Sequence, residues 1–139
     1  MEEQEPVPPL RRILQVDDDE DILLISRLAL EGHGGLEVRT ATSGLEGLAV
    51  LAEWRPQLAI LDWMMPVMDG LECLRAMRRL PEGASLPVIF LTASVSDARK
   101  GELVEAGALA VLPKPFDARE WPRTILELWS RHVGERGRG

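Results

Sequence analysis

The sequence has little cysteine and few aromatic rings. It contains one cysteine, Cys73, so no disulfide bond can form within the chain, and a single thiol among apolar residues is usually a small core side chain. Aromatic residues make up 4% of the chain, and none of them is tyrosine. The core must therefore be built mainly from Leu, Val, Ile and Ala, in a protein suited to a reducing compartment.

The sequence also lacks a long apolar segment. No run approaches the roughly 20 apolar residues that are needed to span a bilayer. The chain begins MEEQE, which is acidic, whereas a signal peptide begins with a basic segment. We therefore expect a soluble, cytoplasmic protein with no membrane partner.

Positive charge is scarce. The chain has 16 Lys and Arg residues against 23 Asp and Glu residues, which gives a formal net charge of -7. Proteins that bind nucleic acid without regard to sequence need clustered Lys and Arg to neutralise phosphates. We therefore expect no direct nucleic-acid partner, and the composition is better suited to an acidic site that binds a cation.

The pattern of the chain predicts one domain of the α/β class. Residues 1–9 are acidic and proline-rich and are expected to form a disordered leader, residues 10–132 the domain, and residues 133–139 a flexible tail. Apolar runs predict strands at 13–16, 36–41, 58–61, 87–91 and 108–112. Helical patterns follow these strands at 21–31, 43–55, 69–80, 97–106 and 117–132. Such alternation predicts a doubly wound parallel sheet with helices on both faces, in which 36–41 is an edge strand.

The periodicity of the first two helices predicts which face of each packs on the sheet. In the first helix the expected face consists of Ile22, Leu23, Ile25, Leu28 and Ala29. The second begins with capping-box spacing at Ser43 and Glu46. Its expected inner face consists of Leu45, Leu48, Ala49 and Ala52.

Two later helices carry residues that disfavour helix. Gly101 lies inside the fourth helix and costs about 1 kcal/mol relative to Ala, so we expect this helix to be the least stable. Pro122 lies beyond the first turn of the fifth helix if that helix begins at Asp117. We therefore expect its start to be distorted or delayed.

Polar residues follow the predicted strands where each one ends. They are Asp17, Asp18, Asp62, Thr92 and Lys114. The carboxyl ends of parallel strands meet at one edge of a sheet, where ligands bind in α/β proteins. Clustered carboxylates raise one another's pKa unless a cation lies among them, and an all-oxygen site favours Mg²⁺. Each residue has an ordinary alternative as a cap, a turn residue or a solvated side chain, but their combination favours a phosphate-handling metal site.

Four motifs, in this order and spacing, resemble the motif set of response-regulator receiver domains. They are ILQVDDDE at 13–20, LDWMMPVMDG at 61–70, LTA at 91–93 and KPF at 114–116, and the resemblance covers nearly the whole chain. It implies a flavodoxin-like (CheY-like) sheet of five parallel strands in the order 2-1-3-4-5. It also implies a non-enzymatic role in two-component phosphorelay signalling.

The resemblance assigns a role to each residue of the edge. Asp62 would accept a phosphoryl group from a sensor histidine kinase or a phosphotransfer protein. Asp18 and Asp62 would bind Mg²⁺ directly, Asp17 through water, and the main-chain carbonyl of Met64 would be a further ligand; Mn²⁺ could replace Mg²⁺. Thr92 and Lys114 would contact the phosphoryl group. A cis peptide bond between Lys114 and Pro115 is also implied.

The sequence departs from the family pattern at the position three residues before the lysine. Receivers usually carry Tyr or Phe there, whereas this chain has Val111, and Pro113 directly before Lys114 is also unusual. The departure affects how phosphorylation is read out. We expect the signal to pass through residues 93–96 and the helix that contains Gly101.

Other functions remain open from the sequence. The chain could be a degenerate receiver that binds a partner without phosphorylation, or the receiver part of a larger regulator. It could also be a small phosphatase with an aspartyl nucleophile, but that class needs a second acid where Met64 stands. The output partner would be another protein or a second copy of the chain.

Overall fold

The structure is a computed structural model that describes residues 8–93 and 96–138. The strands are β1 (Arg12–Val16), β2 (Glu37–Ala41), β3 (Leu58–Leu61), β4 (Val88–Thr92) and β5 (Ala110–Pro113). The helices are α1 (Glu20–Glu31), α2 (Gly44–Trp54), α3 (Gly70–Arg78), α4 (Asp97–Glu105) and α5 (Trp121–Arg138). All strand pairs are parallel, and the sheet order is β2-β1-β3-β4-β5. The predicted class, strand order and edge position of β2 are confirmed.

Apolar runs become strands because the sheet is covered on both faces. All four residues of β3 are buried, as are all five residues of β4. Side chains alternate along each strand, so they enter two separate hydrophobic clusters. One cluster includes Leu14, Leu61 and Phe90, and the other includes Ile13, Ile60 and Trp121. The strand ends at the carboxyl edge are therefore held rigidly.

The packed face of α1 differs from the predicted one. The buried residues are Leu23, Ser26 and Leu30, whereas Leu28 is 62% exposed and Ile25 is also exposed. Periodicity could not identify this face because α1 is apolar on more than one side. The expected assignment of Ile25 and Leu28 to the core was wrong.

The packed face of α2 was predicted wrongly except at Leu48, which is half-buried against the first cluster. Leu45, Ala49 and Ala52 are exposed, and the sheet is covered instead by Gly44, Gly47, Leu51 and Trp54. A Cβ atom at Gly47 would lie 2.7 Å from Val16 Cγ2. The helix therefore approaches β1 through a residue without a side chain, which a search for apolar periodicity does not find.

The remaining helices agree better with the sequence. Asp69 caps α3 in a reciprocal capping box with Glu72. Leu103 is the one buried side chain among residues 99–105 of α4, consistent with a weakly anchored helix. The last helix, α5, begins at Trp121 with Pro122 as its second residue, so the predicted delay is confirmed.

The described structure extends into both segments that were expected to lie outside the domain. Residues 1–7 of the expected leader lie outside the described residues, while the carbonyl oxygens of Pro8 and Pro9 accept hydrogen bonds from Trp129 and Gln57. Helix α5 continues to Arg138, so residues 133–138 have helical structure where we expected a flexible tail.

Candidate functional site

Asp17 and Asp62 lie side by side at the carboxyl edge of the sheet. Each directly follows a central strand, and backbone hydrogen bonds from Asp17 N to Ala41 O (3.1 Å) and from Asp62 N to Val16 O (2.9 Å) continue the sheet pattern. Both side chains are buried, with Asp62 only 5% exposed. The sheet therefore fixes two acids in a position that most carboxylates avoid.

Asp18 completes a cluster of three acids. Ligand atoms of Asp17, Asp18 and Asp62 all lie within 4.8 Å of one another, and Asp18 is exposed. Asp19 does not belong to this cluster because its side chain caps α1 by accepting from the backbone N–H groups of Asp21 and Ile22. The structure thus separates the three acids of the cluster from the capping acid.

Lys114 supplies the positive charge of the site. Its Nζ atom lies 2.8 Å from Asp17 Oδ2 and 3.6 Å from Asp62 Oδ2. The backbone N–H of Lys114 donates to Thr92 O at 2.9 Å, and the Lys114–Pro115 peptide bond is cis, as expected. The turn after β5 thus directs the lysine back over the acidic cluster.

Thr92 ends β4 beside these groups. Its side chain is 3% exposed, and no group in the described part of the chain forms a hydrogen bond with its Oγ1 atom. Buried hydroxyls normally have a partner, so this hydroxyl is free to bond to a group that enters the site.

The cluster changes the protonation of its members. Burial and then the nearby charges of Asp17 and Asp18 raise the pKa of Asp62 to about 7, although Lys114 opposes this shift. Burial by itself lowers the pKa of Lys114, but its contacts with Asp17 and Asp62 outweigh burial, and the pKa ends above its usual value. The site is therefore short of positive charge near neutral pH.

The residues at this edge fit a hard divalent cation. Two buried carboxylates and one exposed carboxylate offer only oxygen ligands, and a cation would relieve the repulsion that raises the pKa of Asp62. The exposed side of Asp18 leaves room for water ligands, which Mg²⁺ retains. The acidic cluster therefore satisfies the predicted site chemically.

The loop after Asp62 is tightly built. A Cβ atom at Gly70 would clash with the Asp62 carbonyl oxygen and the Phe90 ring, so only glycine fits there. Val67 has a φ of 69° in a turn closed by the Met68 N–H and the Pro66 carbonyl, and it is 94% exposed. Met64 lies in the same loop with an exposed side chain, and the role of its carbonyl as a ligand stays a prediction.

A buried polar chain beneath the site was not predicted from the sequence. The indole N–H of Trp121 donates to Ser26 Oγ at 2.7 Å, and Ser26 Oγ donates to Gln15 Oε1. Gln15 is a polar residue in the middle of an apolar strand, which is the signal that could have indicated its role. Its partner Ser26 gives no signal because serine is common on exposed helix faces.

Three further side chains are relevant to how the state of the site could be transmitted or measured. Val111, at the usual aromatic position, is half-buried against the first cluster. The Arg99 guanidinium of α4 lies 5.1 Å from the ring centroid of Trp63, the residue after Asp62. The Cys73 thiol is buried in the first cluster, and burial raises its pKa to about 11.

Comparison with known proteins agrees with this geometry. Residues 13–125 match the family model of the response regulator receiver domain. The chain is 41% identical over 120 residues to the response regulator MprA of Mycobacterium leprae, covering 86% of this chain and 51% of that protein. It is 38% identical to the phosphate regulon transcriptional regulatory protein PhoB of Rhizobium meliloti over 80% of this chain and 48% of that protein. The chain thus spans about half the length of these relatives.

Solved structures give the same result. The chemotaxis response regulator CheY4 of Vibrio cholerae superposes with a TM-score of 0.79 at 32% identity, over 86% of this chain and 99% of that one. A CheY-like receiver domain protein from Methanospirillum hungatei gives 0.81 at 33% identity, over 91% and 99%. Within the described residues, no helix is both long enough and apolar enough to cross a membrane. The chain belongs to the response regulator receiver domain family.

Proposed function

We propose that the chain accepts a phosphoryl group on Asp62 from the phosphohistidine of a histidine kinase or a phosphotransfer protein. The observation that carries this proposal is the placement of the buried Asp62 carboxylate between two further acids and the Lys114 ammonium. The match to receiver domains supports the same role. Burying the Asp62 carboxylate is costly for folding, and a half-buried Lys114 ammonium lies 3.6 Å from it, which favours a functional reason for both groups.

The reaction is an in-line phosphoryl transfer. An oxygen of the Asp62 carboxylate forms a bond to phosphorus while the bond from phosphorus to the histidine nitrogen breaks, and the imidazole leaves with the electron pair. The Lys114 ammonium offsets charge on the phosphoryl oxygens, and the Thr92 hydroxyl donates a hydrogen bond to one of them. The protein thus assists its own modification by positioning and charge neutralisation.

A divalent cation would be held by Asp18 and Asp62, by Asp17 through water, and by the Met64 carbonyl. When bound, Mg²⁺ supplies positive charge that favours ionised carboxylates and neutralises phosphoryl oxygens. Mn²⁺ could replace it, since it accepts the same oxygen ligands.

Incubation with acetyl phosphate and Mg²⁺ tests the proposal. We expect the intact mass to increase by one phosphoryl group, and the increase to be lost in Asp62→Asn. Asp19→Asn is the matched control, because it removes a neighbouring acid while asparagine caps a helix as well as aspartate. An undiminished mass gain in Asp62→Asn would exclude Asp62 as the acceptor.

We further propose that phosphorylation changes the affinity for an output partner, which is another protein or a second copy of the chain. A partner module that works without phosphorylation would not need three clustered acids with an ammonium beside two of them. Turnover of a small phosphate ester would distinguish the alternative phosphatase function from the proposed one. Among the relatives, PhoB is described as a transcriptional regulatory protein.

A further inference from the structure

The turn that carries Lys114 rests on an aromatic pair. Phe116 follows the lysine by two residues, and its ring stacks on Trp121 with the centroids 4.4 Å apart and an interplanar angle of 26°. Trp121 is the first residue of α5 and is 3% exposed. The indole ring therefore supports the Lys114 turn through Phe116, in addition to the backbone hydrogen bond from Lys114 N to Thr92 O.

The indole is in turn fixed by hydrogen bonds that reach the central sheet. Trp121 Nε1 donates to Ser26 of α1 at 2.7 Å, and Ser26 donates to Gln15 of β1. Gln15 lies two residues before Asp17, and Asp17 Oδ2 lies 2.8 Å from Lys114 Nζ. The polar chain therefore runs from the indole beside the Lys114 turn to β1, while Asp17 is itself held by its backbone bond to Ala41 O.

Packing alone does not account for this chain of polar groups. Gln15 and Ser26 are fully buried among apolar side chains, and Gln15 Nε2 has no hydrogen-bond partner among residues 8–93 and 96–138. An unpaired buried donor is unfavourable, whereas apolar residues of similar size would avoid that penalty. Buried polar networks restrict geometry more than they add stability.

We propose that Trp121, Ser26 and Gln15 are positioning residues. They hold Lys114 where its ammonium group can contact an incoming phosphoryl group. This inference rests on the proposed function. The acids that would bind the cation are held separately by the sheet, through the backbone bonds of Asp17 and Asp62. Loosening the polar chain should therefore weaken phosphoryl binding and leave cation binding unchanged.

The test compares Trp121→Phe with Trp129→Phe in the full chain. Phenylalanine keeps a ring against Phe116 but removes the indole N–H. Trp129 is a matched control because it lies in the same helix, is buried, and donates its own indole N–H to the Pro8 carbonyl at 2.9 Å, away from the Lys114 turn. Melting temperatures report the general loss of stability in each variant.

Two affinities are measured for each protein: Mg²⁺ alone, and beryllofluoride at saturating Mg²⁺. We expect Trp121→Phe to bind beryllofluoride about tenfold more weakly, which corresponds to the loss of one hydrogen bond, with Mg²⁺ affinity unchanged. Trp129→Phe should keep both affinities. Ser26→Ala should reproduce the effect of Trp121→Phe, and the double variant should be no weaker than either single one.

Other outcomes would overturn the inference. Unchanged beryllofluoride affinity in Trp121→Phe, or an equal loss in Trp129→Phe, would mean that the chain of polar groups is only structural or that α5 acts through general stability. Failure of the parent protein to bind beryllofluoride with Mg²⁺ would instead overturn the proposed function, and this inference with it.

Discussion

At the scale of single residues, Asp62 links the site to stability. Its pKa is about 7 in the folded chain and 3.8 in its ordinary state. The folded state therefore holds a proton between these values that the unfolded state has released. Protonation of Asp62 therefore contributes to the free energy of unfolding. This contribution is fully present below pH 3.8 and is lost as the pH rises through 7.

We expect the free energy of unfolding, measured by urea denaturation in EDTA between pH 5 and 8, to fall as pH rises. The fall attributable to Asp62 is at most about 1.4 kcal/mol per pH unit. Asp62→Asn should have a shallower slope, and Mg²⁺ should flatten the slope of the parent because it favours the ionised carboxylate. Asp69→Asn, which changes an acid that caps α3, should retain the parental slope. Parallel slopes for the parent and Asp62→Asn would contradict the raised pKa.

The site residues could be predicted because each follows an apolar run, and topology brings such positions to one edge. Asp17, Asp18, Asp62, Thr92 and Lys114 meet for that reason. Ser26 could not be predicted, because its burial depends on Trp121, which is distant in sequence and reaches it only in the folded chain. Contacts of this kind are set by packing between elements and leave no local pattern.

At the scale of elements, two glycines should respond in opposite ways to the same substitution. Alanine favours a helix over glycine by about 1 kcal/mol. At Gly101 no atom outside α4 lies within 4 Å of the added Cβ, so Gly101→Ala should stabilise the protein by about that amount. At Gly47 the Cβ would meet Val16 at 2.7 Å, so overpacking of about 1 to 3 kcal/mol should outweigh the gain.

Chemical denaturation of both variants measures these effects directly, and each variant is the control for the other. A stabilised Gly47→Ala would mean that α2 does not approach β1 as closely as described. The same close approach explains why the inner face of α2 was predicted wrongly, because the helix contacts β1 at Gly47, a residue without a side chain. The starts of α3 and α5, by contrast, were predictable from the capping residue Asp69 and from Pro122.

At the scale of the whole molecule, the proposed phosphorylation of Asp62 must alter the protein surface if a partner is to detect it. Val111 is too short to act as an aromatic switch. Helix α4 has one buried side chain among residues 99–105, and the Arg99 guanidinium lies over the ring of Trp63, the residue after Asp62. A helix with few buried contacts is displaced at small free-energy cost. These features favour a signal that passes through α4.

Hydrogen exchange with and without beryllofluoride and Mg²⁺ should therefore change in residues 93–106, of which 94 and 95 lie outside the described residues. Arg99→Gln should reduce the change, and Lys100→Gln, which replaces a neighbouring exposed cation, should not. Changes confined to β5 and α5 would show that the signal takes another path.

The burial of Cys73 has a practical consequence for such measurements. It is the chain's one cysteine, it is fully buried, and its raised pKa leaves almost no thiolate at neutral pH. Thiol-directed reagents should thus leave the native protein unmodified. A cysteine introduced at the exposed Val104 of α4 could then be labelled selectively with a fluorophore or a spin label, without first removing the native thiol. Because the fold keeps Cys73 unreactive, a label at residue 104 would report the motion of α4 alone.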